Sequence, residues 1–204
     1  MTIPGDLPMS KLKREDLYSL EQYAALRPQF RAQVMQHKKS RQVSIGPHAI
    51  LSFEDHLTMQ YQVQEILRVE RIFEADGIEE EIAAYNPLIP DGGNWKATLL
   101  LEYPDMDERQ RALAQLKGIE DRVWVRVADF EPVWAIADED LERENETKTS
   151  AVHFLRFELA PAMIAAVKRG AAVSMGIDHP NYRHEVTVPA SVRDSLAHDL
   201  SDSK

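Results

Sequence analysis

The spacing of apolar and polar positions changes period several times along the chain, and each change marks an element. Ser19 followed by Gln22 fits a helix cap box, and the pattern predicts a helix over 20–27, with Pro28 able to start another through about 38. RQVSI, 41–45, and HAILSF, 48–53, read as short strands in a hairpin around Gly46–Pro47. Helical spacing returns over 53–73, a second short helix follows around 77–85, and AYNPLIPDGGNW, 84–95, reads as a loop. The first ten residues read as a loose leader.

From residue 97 the order of elements repeats. Residues 97–136 read as strand (ATLLLEY), helix (DERQRALAQLKG), strand (DRVWVRV) and strand (PVWAI). Residues 151–188 read as strand (AVHFLRFEL), helix (PAMIAAVKRG), strand (AAVSMGI) and strand (HEVTV). Gly118 and Gly170 are natural caps for the two helices, and a short helical segment is expected after each unit, ADEDLERE at 137–144 and PASVRDSL at 189–196. A duplicated β-α-β-β unit explains the echo of order; a fortuitous succession is the alternative. In the strands, Val123, Val125 and Val127 share one face and Trp124 and Arg126 the other. Such alternation favours an α+β fold: a mostly antiparallel sheet built from the two units, with an N-terminal helical region and a central helix packed against it. A single domain over 1–204 is expected, with helices and hairpin over 1–94 and the duplicated region over 95–204. Trp124 would be covered by the N-terminal helices or by another subunit.

The stretch FEDHLTMQYQVQEILRVERIF, 53–73, differs from an ordinary surface helix, which shows one apolar stripe. His56, Met59, Gln60, Val63, Leu67 and Glu70 fall on one side, while Leu57, Tyr61, Glu65 and Arg68 fall towards another. Charges buried there need partners. Glu65–Arg68 and Gln64–Arg68 have the spacing of internal pairs, and Gln64, Glu65, Arg68 and Glu70 are expected to be paired against the sheet, a cleft or another subunit. As a pocket lining, the candidates are His56, Gln60, Tyr61, Gln64, Glu65 and Arg68, joined by Asn94 and Lys96 from the 86–96 loop.

Composition narrows the chemistry. The chain has 204 residues, no cysteine and a formal net charge of −10. The missing thiols exclude disulfides, iron–sulfur clusters and cysteine-ligated zinc. Residues 1–50 carry eight Lys/Arg against four Asp/Glu, and the remainder sixteen against thirty. An acidic body argues against nucleic acid. The basic stretches KLKRE, 11–15, and HKKSR, 37–41, read as solvated surface, or as a site for a phosphate or an acidic partner. No stretch approaches a membrane span and no signal peptide is evident, so a cytoplasmic location is expected. His48, Glu54, His56, His179 and His184 are weak candidates for a His/carboxylate metal site. No Glu-x-x-His or His-x-x-x-His spacing occurs on the central helix, and DHPNYRH, 178–184, reads first as a hairpin turn. His153 could face a cleft or sit at the sheet surface. The acidic run DEDLERENE, 138–146, lacks the glycine of a calcium loop and reads as a solvated helix.

Six segments carry a family resemblance: RPQFR, FEDHLTMQYQVQEILRVERIF, YNPLIPDGGNWKAT, IEDRVWVRV, IADEDLERE and KTSAVHFLRFEL. Over most of residues 11–183 the chain resembles a bacterial protein family with no assigned function. Its members look like gene neighbours of rubrerythrins and iron–sulfur oxidoreductase subunits. The resemblance implies a role in peroxide or oxygen stress, beside a redox partner protein, and supplies no catalytic residues. Three readings stand. The first is an accessory or binding protein, expected as a homodimer, linked to an oxidative-stress redox system. The second is an enzyme or small-molecule-binding protein with a polar pocket between the 53–73 helix and the 86–96 loop. The third is a non-haem metal protein with His and carboxylate ligands. No cofactor follows from the residues.

Overall fold

The computed structural model describes residues 10–139 and 148–201, and within them the chain runs through six α-helices and nine strands. The leader, 1–9, and most of the expected 137–144 helix lie outside the described residues. Helix α1 spans Leu20–Lys39, capped by Ser19 and Gln22 as their spacing predicts. It continues through Pro28 without a break. Proline lacks one helical hydrogen bond, but Tyr23, Phe30 and Val34 are buried on both sides of it, with Leu57 in the same cluster. Strands β1 (Gln42–Ile45) and β2 (Ala49–Phe53) form the expected hairpin, turning at Gly46 with φ +71°.

Helix α2 (His56–Glu70) is capped by Asp55 and Thr58 and closes on Arg71 in the left-handed region. Helix α3 (Ala75–Tyr85) follows, then a 3-10 turn at Asn86–Leu88. Among these helices α2 is central, packed against α1 on one side and α3 on the other. Its buried Met59, Val63 and Leu67 meet Ile78 and Ile82 of α3 and Leu12 of the N-terminal segment.

The remaining elements are β3 (Asn94–Leu101), α4 (Met106–Gln115), β4 (Val123–Val127), β5 (Val133–Trp134), β6 (Ile136–Ala137), β7 (Val152–Glu158), α5 (Pro161–Lys168), β8 (Val173–His179), β9 (Tyr182–Thr187) and α6 (Ala190–Ala197). They build two antiparallel sheets where the alternation suggested one, with orders β1-β2-β3-β7-β6 and β5-β4-β8-β9. The segment expected as one strand at 132–136 divides at Ala135: β5 pairs with β4 in one sheet and β6 with β7 in the other.

The echo of element order has a counterpart in this topology. The second sheet reads hairpin, hairpin about the central β4–β8 pair, and the first sheet mirrors it about the β3–β7 pair. A strand precedes and pairs with each strand of the central pair, the expected β2 with β3 and β6 with β7.

Val123, Val125 and Val127 face the core, as their spacing predicts, opposite Leu99, Leu155 and Phe157 of the other sheet. Trp124 is covered by its own sheet and needs no second subunit. Its ring lies so close to the Gly176 backbone that a Cβ there would sit 2.4 Å from it, and the Arg126 guanidinium stacks 5.1 Å from the ring centroid.

Tyr182 joins the two sheets at one edge. Its hydroxyl donates to Ile45 O at 2.7 Å and accepts from His48 N at 2.9 Å and Ala49 N at 3.0 Å. Removing that hydroxyl takes one hydrogen bond from each of three backbone groups, so Tyr182→Phe should cost roughly 2–3 kcal/mol. Urea unfolding of the variant checks this, and an unchanged midpoint would show the seam to be dispensable.

Candidate functional site

The polar groups of α2 mostly hold the helical layer together. His56, Gln60 and Gln64 recur every fourth residue and face the segment 16–18. Gln60 Nε2 donates to Asp16 O at 2.5 Å, Tyr18 N donates to Gln64 Oε1 at 2.6 Å, and His56 Nε2 lies 3.6 Å from Asp16 Oδ2. Glu65 is engaged from α1: Arg27 donates two bonds at 2.7 and 2.8 Å and the Tyr23 hydroxyl a third at 2.6 Å. The Arg27 bonds lead in holding Glu65 at about 2. Arg68 approaches Glu65 at 3.6 Å, as its spacing predicts, while the Gln64 carbonyl serves Tyr18. Tyr61 packs beside Phe30, and Glu70 is exposed. Of the basic stretches, Lys13, Arg14 and Lys39 are exposed, while Lys11 and Arg41 are tied in. Lys11 Nζ donates to Asn86 O and Ile89 O, and Arg41 is only 1% exposed.

At the start of α2, Asp55 accepts from Thr58 N and also meets His37 at 2.5 Å and Arg41 at 3.4 Å. Arg41 spans to Asp199 at 2.5 Å. Burial opposes the Asp55 carboxylate, but His37 and Arg41 outweigh it and hold the group at about 2. Burial pushes Asp199 up to about 6 against the pull of Arg41.

A cavity of about 320 Å³ opens between α3 and the outer face of the first sheet. Glu81, Ala84 and Tyr85 descend from α3, with Pro87 and Leu88 from the turn that follows. Lys96 of β3 and Phe154, Leu155 and Arg156 of β7 line the sheet side, and Glu139 stands beside them. Lys96 and Arg156 are direct partners in the antiparallel register. Their surroundings differ. Arg156 takes Glu139 through two bonds of 2.7 Å and also pairs with Glu158. Among the described residues no carboxylate reaches ion-pair distance of Lys96, which is half-buried. Burial, with Arg156 next to it, pushes the Lys96 ammonium below its usual range. Burial and the neighbouring Glu70 and Glu80 push Glu81 up.

Of the pocket candidates, Lys96 lines this cavity. Asn94 turns to Asp91 at 2.9 Å and Glu158 at 3.0 Å, and the six α2 candidates are not among the lining residues. Arg156, Phe154, Glu139, Glu81 and Tyr85 were not legible as site residues. The alternation in AVHFLRFEL puts Phe154 and Arg156 on one face, but their meeting with Lys96 depends on pairing between strands sixty residues apart.

The weak metal candidates are scattered. His48 bonds Glu102 O and stacks on Tyr103, His179 bonds Lys117 O at the expected hairpin turn, His184 packs on Tyr182, and Glu54 accepts from Thr98. Among the described residues, the group close enough to hold a metal is Glu120, Asp138 and His153, whose ligating atoms lie within 4.8 Å of one another. His153 is 0% exposed and faces the core rather than a cleft or the surface. A carboxylate only accepts, so the 2.6 Å contact with Asp138 Oδ2 puts the hydrogen on Nδ1. Nε2 then faces Thr149 Oγ1 at 3.0 Å, Ser150 O at 3.1 Å and Glu120 Oε2 at 3.7 Å.

The sequence profile of a family described as a protein of unknown function, DUF3501, matches residues 11–200. The chain belongs to the DUF3501 family. The matched span takes in every residue lining the cavity and the whole His153 group. The crystal structure of a protein of unknown function from Burkholderia pseudomallei K96243 is similar to this chain at 54% identity, with a TM-score of 0.90, over 94% of this chain and 100% of that one. No curated protein matches.

The Asp55 cluster generates a pH prediction. Its folded-state pKa of about 2 lies below its ordinary 3.8, so the carboxylate adds stability above that value and the contribution disappears as pH falls towards 2. The stability difference between the wild type and Asp55→Asn should therefore shrink between pH 4 and pH 2 in urea titrations. A difference constant across that window would show that the His37 and Arg41 contacts do not stabilise the ionised form.

Proposed function

We propose that this DUF3501 protein binds a small molecule in the cavity between α3 and the first sheet, with Lys96 meeting the ligand's oxygen-bearing end. One observation carries the reading: a half-buried ammonium in a cavity where, among the described residues, no carboxylate stands at ion-pair distance, beside an arginine that has two. A desolvated cation needs a compensating group, and a ligand oxygen is the group that fits there. At about 320 Å³ the space matches the smaller end of small-molecule sites. Apolar walls and a few convergent polar groups are the usual make-up of such a site. The accessory role beside an oxidative-stress redox system is carried by the family resemblance rather than by the cavity, and the cavity does not bear on the expected homodimer.

The test is saturation-transfer NMR with benzoate, phenylacetate and benzaldehyde, comparing the wild type with Ala84→Trp, which fills the cavity from α3. Saturable binding that is lost in the variant, at unchanged melting temperature, is expected. Equal binding by both proteins would place the ligand elsewhere.

A second reading, a non-haem metal protein, is favoured by the His153 group. A metal-ligating histidine commonly gives its other ring N–H to a carboxylate, as His153 gives Nδ1–H to Asp138. Glu120 and Thr149 then stand beside Nε2. This reading requires near-stoichiometric zinc, manganese or iron in untagged protein, lost in His153→Ala. Elemental analysis without such metal removes it.

A further inference from the structure

We propose that Lys96 is a nucleophilic amine that captures a small aldehyde or ketone as an imine inside the cavity. The proposal rests on the cavity reading above and names the chemical class of its ligand. Amine catalysis of this kind needs a lysine that is partly neutral near pH 7 and sheltered from water. The surroundings of Lys96 act in that direction: burial lowers the ammonium below its usual range, and part of the side chain is covered. Pro87, Leu88, Phe154 and Leu155 present apolar surface to the same space. The nearest cation, Arg156, is fixed opposite Lys96 by the strand register and clamped by Glu139 and Glu158, so it cannot swing away. The charged groups that bear on Lys96 are Arg156, Glu139, Lys11 and Asp91. Burial and the two cations favour the neutral amine; the two carboxylates oppose it. The net push is downward.

The step balances without an oxidant or reductant. The Nζ lone pair forms a bond to the carbonyl carbon while the C=O π pair moves onto oxygen, which takes a proton. The nitrogen loses a proton, the carbinolamine expels water, and the C=N bond remains. Glu81 and Tyr85 line the same cavity, and burial pushes both upward, towards their proton-bearing forms. They are the groups placed to hand a proton to the departing oxygen.

The experiment uses the full chain with benzaldehyde and cyanoborohydride at pH 7, followed by peptide mapping of the reduced adduct. Lys13 and Lys39, both exposed, serve as internal references. Lys96 should be modified at least tenfold faster than either, and Ala84→Trp should bring it down to their rate. In Lys96→Arg the excess adduct should vanish while circular dichroism stays unchanged. Modification of Lys96 no faster than Lys13 and Lys39 overturns the proposal. Benzoate binding by NMR separates the two failures. Binding without excess labelling leaves the cavity reading standing and removes the nucleophile. Neither binding nor excess labelling removes both.

Discussion

The structure depends on one buried charge. Arg41 sits at the junction between α1 and β1, where its guanidinium is out of reach of water. It donates to Phe53 O and Glu54 O at the end of β2, meets Asp55 at the cap of α2, and bonds Asp199 just beyond α6. A guanidinium in that position is costly unless nearly all of its donors are satisfied. The requirement pulls together segments 158 positions apart in the chain. It also fixes where α2 begins. The α2–α3 pair hangs from that point, and α3 provides the roof of the cavity.

The two faces of the first sheet do different work. Trp95, Ala97 and Leu99 of β3 turn inward with Leu155 and Phe157 of β7, and together with the second sheet they enclose the main core. Lys96, Phe154 and Arg156 turn outward beneath α3. The echo of order extends to the two central strand pairs but not to the cavity. Its roof comes from the α2–α3 segment inserted between β2 and β3, and the corresponding join in the second repeat, between β6 and β7, contains Asp138 and Glu139. Each insertion thus brings chemistry to the common scaffold: one adds the roof, the other the carboxylates at Arg156 and His153.

Much of the fold was legible because it follows local rules. The Ser19–Gln22 box, the Gly46 turn, the facing of Val123, Val125 and Val127, and the helix before residue 197 each depend on a few neighbouring residues. Pro28 misled because packing on both sides outweighed one missing hydrogen bond. The second sheet was not legible because the switch at Ala135 takes a single residue, and alternation on either side of it reads as one strand. The polar character of residues 53–73 pointed to partners, correctly, but could not say which. Most proved to be the N-terminal segment and α1, whose contacts with α2 come from 38 to 46 positions away.

The charged groups of the helical network are already paired, which sets them apart from the ammonium at the cavity. Glu65, with three hydrogen bonds from Arg27 and Tyr23, has little capacity left for a ligand. Asp55 and Asp199 are spent on Arg41 in the same way. Lys96 and Arg156 make the contrast within a single register pair: two cations side by side on adjacent strands, of which one holds two carboxylates and the other, among the described residues, none. If the cavity were only a packing defect, moving either carboxylate to bridge both cations would lower the cost of burying Lys96. The clamp on Arg156 prevents that exchange, because Glu139 gives both oxygens to one guanidinium edge and Glu158 takes another. Of the two paired cations, Lys96 is therefore the one left open to a ligand in the cavity, among the described residues.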